Sequence, residues 1–374
     1  MIIRPKFKLS LLLLIIAVSA KPQNDPLSLN IGDSAPPLRV REWIKGTPVQ
    51  KFEKGTVYVL EFWATWCKPC IAAMPHLSAL AGEYKDRVIV IGIDIFEKKS
   101  TSSKKVKAFV DSMGLRMNYH VAAEDSNFVV NDWLDASGVR DEGIPRSFVI
   151  NAAGRLAWIG HPKSLAEVLP KIVNDTWNIK EAHTKRISDK RLAELDKNAN
   201  YDLMKYSHDS FNPHFIEKPD SVLLAINEII RSEPKLKYAP LMAYNTFSSL
   251  LKTNLQKAYQ YGKVVMVTAT YEEPAYSSIY NVIDFYSDKL NLPVEIYRLG
   301  AEAYQTDIDH IPYPEIVNIQ KRYHRMAALY WRANEKSKAI DAEQKAIQTL
   351  KNKKDFSRAD LTAFELQLQH YKKR

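Results

Sequence analysis

The chain has only two cysteines in 374 residues. That is too few for a disulfide-built scaffold or for any zinc or iron–sulfur site needing four cysteine ligands. There is also no His-x-x-x-His pair and no second cysteine pair, so the sequence offers no metal site. Glycine is scarce, at 12 residues, about half the ~7% usual in globular chains. This argues against an all-β chain stitched together by many tight turns. No apolar run is long enough to span a ~30 Å hydrocarbon core, which needs about 20 residues. The run from Leu11 to Val18 is much shorter, and nothing later is as apolar. Disordered and low-complexity classes are excluded by a composition that is 46% hydrophobic and 26% charged.

The net charge is +10, and Arg4, Lys6 and Lys8 supply three of those charges. They precede the Leu11–Val18 run, which is followed by the small residues Ser19 and Ala20. Charged, hydrophobic and small residues in that order are expected of a secretory signal, residues 1–20, cleaved after Ala20. Its removal leaves about +7 on the remainder, which does not call for a nucleic-acid partner. The expectation is an exported, periplasmic or otherwise extracytoplasmic protein that is not integral to the membrane after cleavage. Outside the cytosol, cysteines can be held oxidised or reduced.

Residues 31–177 alternate between strand and helix patterns. Val57 to Trp63 is β-branched and aromatic, and Val88 to Ile93 is a near-continuous apolar run, as in strands covered on both faces. Helical stretches are expected over 68–84, 104–113 and 128–136. Ser147–Ile150 and Leu156–Ile159 read as a hairpin, with Gly154 at a positive-φ position. A last helix runs from Ser164, a natural N-cap, towards Asn174, with Pro170 expected to bend or break it. Such alternation gives an α/β sheet with helices on both faces.

Residues 179–374 have another texture, with charged, Ala/Leu-rich helical stretches broken at Asn212-Pro213, Glu233-Pro234 and Ile311-Pro312. Val222, Leu223, Ile226, Ile229 and Ile230 form a helical apolar stripe. Met326 to Leu350 reads as two helices bending near Asn334. Ala327, Tyr330, Ala339 and Ala346 are spaced as in a tetratricopeptide-like hairpin. An irregular helical bundle accounts for the same alanines equally well.

Both cysteines fall in one tetrapeptide, Cys67-Lys68-Pro69-Cys70, directly after the buried strand Val57–Trp63. Cys67 therefore lies at a strand-to-helix turn, with Cys70 one turn inside. Free N–H groups and the positive end of the helix dipole favour a thiolate there. Lowering a thiol pKa from ~8.5 to ~7 takes only about 2 kcal/mol. Cys67 is then the sulfur that attacks a partner, near solvent, and Cys70 the buried sulfur that resolves the mixed disulfide. Lys68 adds positive charge, and Pro69 restricts the turn and so tunes the potential. A purely structural disulfide closing so short a loop removes little unfolded-state entropy. Haem attachment is excluded because Ile71, not histidine, follows Cys70.

The segment Phe62-Trp63-Ala64-Thr65-Trp66-Cys67-Lys68-Pro69-Cys70 resembles the active site of thioredoxin-fold proteins, specifically the exported TlpA/ResA-like thiol–disulfide oxidoreductases of the redoxin family. Pro75 matches the proline that kinks the active-site helix. Gly143-Ile144-Pro145 resembles the cis-proline loop, which binds substrate backbone. The resemblance covers residues 31–177 and implies a thioredoxin-like domain followed by a helical one, protein dithiol or disulfide clients, an upstream electron donor and the reducing direction. It implies no cofactor beyond the redox-active Cys67–Cys70 pair. Glu61, six residues before Cys67, matches thioredoxin's buried acid and suits proton transfer with Cys70. Ile144, Pro145 and the apolar surface of Trp66 are expected to receive substrate, whereas His76 is expected only to pack. Arg146 departs from the family, many of whose members carry threonine there.

Two other functions fit the same residues. The thioredoxin-like part could serve mainly as a docking module for a helical partner-binding protein. Peroxide reduction fits less well, because Thr65 stands two rather than three residues before Cys67.

Overall fold

The computed structural model describes residues 28–98, 101–124, 127–207, 217–271, 274–311, 318–353 and 356–373. The expected export segment, Asn212-Pro213 and Pro312 lie outside the described residues. Six strands, β1 (Glu42–Lys45), β2 (Val57–Trp63), β3 (Val88–Asp94), β4 (His120–Ala123), β5 (Arg146–Ile150) and β6 (Leu156–Gly160), form one sheet in the order β1-β4-β3-β2-β5-β6. β2, β3 and β4 run parallel, while β1, β5 and β6 each pair antiparallel with a neighbour. Every residue of β2 is buried, because this central strand is covered on both faces.

Alternation along β2 separates two cores. Val57, Val59 and Trp63 face α1 (Lys68–Glu83), α2 (Ser103–Met113) and α3 (Leu165–Val173). Tyr58, Leu60 and Phe62 face a layer built from Leu29, Ile31 and a π-helical segment, Val130–Asp135. The helix expected over 128–136 is therefore π-helical in its middle. The short strands β1 and β4 carry too few residues for a period-2 signal and were not anticipated. Two readings near α3 need correction. Pro170 does not end the helix, which continues to Val173. Ser164 precedes it in helical backbone geometry and its side chain makes no capping bond, because a 3₁₀ turn over Pro162–Ser164 already leads in.

The rest is helical: α4 (Ile179–Ser207), α5 (Pro219–Ser232), α6 (Pro240–Thr253), α7 (Leu255–Val265), α8 (Tyr276–Tyr286), α9 (Val294–Asp309), α10 (Ile319–Arg332), α11 (Lys336–Lys351) and α12 (Arg358–Lys373). α4 joins the two regions. Its start packs on the sheet through Ile179 and Ala182, and His183 Nδ1 lies 2.6 Å from the Ile31 carbonyl oxygen. Its later turns pack Leu192 and Leu203 with Val222, Ile226 and Met242. α10 and α11 form the expected hairpin, turning at Asn334 with φ +59. Ala327, Tyr330, Ala339 and Ala346 are all buried in it.

Candidate active site

β2 delivers the chain to the site, and the turn after it presents the cysteines. Cys67 caps α1 in extended geometry, and its Sγ accepts from the Cys70 backbone N–H at 3.2 Å. Pro69 occupies the first turn, where its missing N–H costs no helical bond. No acidic residue stands in that turn, so the positive end of α1 meets the sulfurs without a competing carboxylate. The helix buries Cys70, Ala73, Met74, Leu77 and Leu80 on one face and contains Pro75.

The two sulfurs are joined as a disulfide. Cys67 is 3% exposed and Cys70 1%, which corrects the expectation that the outer sulfur lies near solvent. In the oxidised state both sulfurs belong to the core beneath α1, and the Ile144 carbonyl oxygen sits 3.7 Å from Cys67 Sγ. The exposed rim is formed by Lys68, Pro69 and Trp66, the last 49% exposed. The Trp66 indole N–H donates to the Phe96 carbonyl at 2.9 Å, which holds the ring's apolar surface outward.

The Ile144–Pro145 peptide is cis, and Gly143 before it has φ +74. Ile144 is half-buried and touches both cores, while Pro145 is buried. Arg146 follows at the start of β5, with its guanidinium 3.0 Å from a Glu142 carboxylate oxygen.

Glu61 is 2% exposed and lies between Val59 and Trp63 on the β2 face turned towards α1. The β2–β5 register sets Ser147 opposite it, and the Ser147 hydroxyl donates to Glu61 Oε2. Oε1 has no hydrogen-bond partner among the described residues. Burial pushes this carboxyl from its ordinary 4.5 up to about 8, opposed by the Ser147 bond and the Arg146 charge. Tyr119 is also buried, its hydroxyl has no partner among the described residues, and its pKa is raised by burial and by the Glu61 charge. His76 is half-buried on α1, its pKa lowered by burial, and its Nε2 has no partner among the described residues.

The sequence reading overlooked the loop after β3. Glu97 Oε1 accepts from the Thr65 backbone N–H at 2.5 Å, and Phe96, at φ +57, supplies the carbonyl for Trp66. Asp94 closes β3 opposite Trp63, and burial together with Glu97 raises its pKa to about 8. The available signal was an acidic residue ending an otherwise apolar strand. Ser147 was overlooked too, since only strand register reveals that it faces Glu61.

Residues 31–159 match the AhpC/TSA family. The FixW protein of Rhizobium leguminosarum is 33% identical over 154 residues, covering 40% of this chain and 69% of FixW. The thiol-disulfide oxidoreductase ResA of Bacillus anthracis is 32% identical over 134 residues, covering 35% of this chain and 70% of ResA. A solved thiol-disulfide isomerase from Corynebacterium glutamicum is 22% identical, with a TM-score of 0.32, over 38% of this chain and 97% of that one.

Proposed function

The chain belongs to the AhpC/TSA family, among its ResA-like thiol–disulfide oxidoreductases, and from that premise we propose that it reduces disulfides in exported client proteins. One observation carries the reading: the Cys67–Cys70 pair at the start of α1 faces the cis Ile144–Pro145 loop at 3.7 Å. A redox pair beside backbone able to pair with an extended peptide fits a protein client. The charged and apolar order of residues 1–20 supports export. Among the described residues, no helix is long and apolar enough to cross a membrane. The relatives at 32–33% identity include ResA proteins named as thiol-disulfide oxidoreductases, which favours disulfide exchange over peroxide reduction.

The cycle starts from the dithiol. The Cys67 thiolate attacks one sulfur of a client disulfide; that bond breaks, a Cys67–client disulfide forms, and the released client thiolate takes a proton. Cys70 gives its proton to the Glu61 carboxylate and attacks Cys67 Sγ. The mixed disulfide breaks, the Cys67–Cys70 disulfide forms, and the second client thiolate leaves and is protonated. Two electrons have then passed to the client. An external dithiol donor returns two electrons and two protons to regenerate the pair. Glu61 suits its step because burial keeps its pKa close to that of a thiol. Ile144 and Pro145 hold the client backbone, Trp66 offers an apolar landing surface, and Lys68 and Pro69 adjust the potential.

Replacing the resolving sulfur tests this directly. Cys70→Ser should accumulate client mixed disulfides on Cys67, visible on non-reducing gels and by mass spectrometry, and Cys67→Ser should accumulate none. Absence of any trapped client would instead favour a docking module. A reduction potential well above about −180 mV would reverse the proposed direction.

A further inference from the structure

The loop that follows β3 reaches across to the turn that precedes Cys67. Ile95 N–H donates to the Trp63 carbonyl at 2.9 Å, which carries the β2–β3 pairing one residue past the strands. Phe96 then turns the chain at φ +57, a left-handed geometry that a phenylalanine rarely adopts. That turn aims two acceptors at the residues directly before the cysteine. The Phe96 carbonyl takes the Trp66 indole N–H at 2.9 Å, and Glu97 Oε1 takes the Thr65 backbone N–H at 2.5 Å. Cys67 N–H donates to the Ala64 carbonyl at 3.1 Å inside the same turn. The place of Cys67 at the start of α1 is therefore fixed from β3 as well as from β2.

Glu97 has a second neighbour of its own kind. Asp94, the last residue of β3, is 3% exposed, and its carboxyl lies within hydrogen-bonding reach of the Glu97 carboxyl. Asp94 Oδ1 and Glu97 Oε2 find no other donor among the described residues. Two ionised carboxylates only accept, so this contact becomes a bond when one of them holds a proton. Burial and the Glu97 charge favour the proton on Asp94, pushing its pKa to about 8, and Arg41 opposes them. The Asp94 hydroxyl then donates to Glu97, and the charged Glu97 makes a charge-assisted bond to Thr65. The pair borders a crevice of about 390 Å³, whose other charged groups are Arg41 before β1, Lys104 on α2 and Glu124 after β4.

We propose that Glu97 is a positioning residue for disulfide exchange: joined to Asp94 through one shared proton, it holds the turn through Thr65 and Trp66 that sets Cys67 at the start of α1. The inference rests on the disulfide-exchange reading and adds a residue outside the Cys-x-x-Cys motif. Removing the Glu97 carboxyl releases the turn, which costs Cys67 its aligned attack. Removing the shared proton sets two like charges side by side, so the turn also loosens once Asp94 ionises.

Two measurements on the full-length protein test this. The first is the rate at which Cys67 attacks an aromatic disulfide, read from the coloured thiol released, in a Cys70→Ser background that stops the cycle after attack. Glu97→Ala should slow this step about tenfold. Glu97→Gln, whose amide oxygen still accepts from Thr65, should recover most of the loss. The second is Trp66 fluorescence in the oxidised protein, where no thiol titrates, taken as the difference from the matching Trp66→Phe protein. It should change with a midpoint near pH 8. The change should vanish in Asp94→Asn and Glu97→Gln but persist in Glu61→Gln. Both amide variants keep the side-chain volume, so the test stands even if Glu97→Ala folds poorly. An unchanged attack rate in Glu97→Ala, or a Trp66 titration that survives in Asp94→Asn, would overturn the proposal. If the wild-type dithiol reduces no disulfide, the exchange reading itself fails, while the Trp66 titration still reports on the pair.

Discussion

Two buried carboxylates, one in each region, are treated in opposite ways. Asp196 on α4 is fully buried, and both of its oxygens are used. Leu241 N–H and Met242 N–H donate to them at 2.9 Å, and the Tyr271 hydroxyl donates at 2.8 Å. Those amides are free donors at the start of α6, so the carboxylate closes a helix end that Pro240 opens. Burial raises the Asp196 pKa, and the three hydrogen bonds oppose it. Among the described residues, Glu61 in the sheet has one donor, Ser147, and one bare oxygen, and its pKa reaches about 8. The helical region satisfies its acid and uses it as a joint. The sheet region leaves one oxygen of its acid without a partner among the described residues, on the β2 face turned towards α1, and burial alone sets its pKa high.

Changing pH should widen this contrast most. Folded Glu61 keeps its proton up to about pH 8, whereas the unfolded chain releases it near 4.5. Its contribution to stability is thus full below pH 4.5, falls by roughly 1.4 kcal/mol per pH unit, and is gone above about 8. Denaturant titrations of wild type and Glu61→Gln across this window should diverge by on the order of 4 kcal/mol, the wild type losing more. The rate of Cys70 resolution in wild type should climb towards pH 8, a limb that Glu61→Gln lacks. Parallel curves for the two proteins would mean that Glu61 is not the titrating acid.

Asp196→Ala should come next, at about 3 kcal/mol of lost stability, because it strands two amides and a hydroxyl in the interior. The Cys67–Cys70 potential should stay at the wild-type value, as expected of a joint rather than a redox group. Ser147→Ala should cost about 1 kcal/mol and move the pH–rate midpoint upward, since the bond it removes holds the Glu61 pKa down. The smallest effect should come from Lys171→Ala. Its exposed pairing with Glu167 at 3.1 Å should be worth less than ~0.5 kcal/mol, which sets the noise level for the other three.

How much was legible beforehand varied with the range of the forces involved. The strands over 57–63 and 88–93 and the hairpin around Gly154 were readable because a covered strand must be apolar along its length and a tight turn needs a glycine. The cysteine pair and Pro145 were readable from local motif. β1 and β4 were not, since four-residue strands owe their pairing to neighbours. The π-helical turn over Val130–Asp135 was hidden for a related reason, because its apolar spacing alone resembles an α-helix. Pro170 misled because the packing of Leu165, Val168, Leu169 and Ile172 outweighs one lost backbone bond.

Local chemistry along the chain determined by itself that a sulfur pair would sit where a buried strand turns into a helix, because spacing and polarity act over a few residues. Only the tertiary structure decided that both sulfurs would be enclosed, that Ser147 and not a cation would meet Glu61, and that the start of α4 would pack on the sheet through Ile179 and Ala182. Those outcomes depend on strand register and on contacts between segments more than forty residues apart, where burial and geometry, rather than local propensity, set the energy.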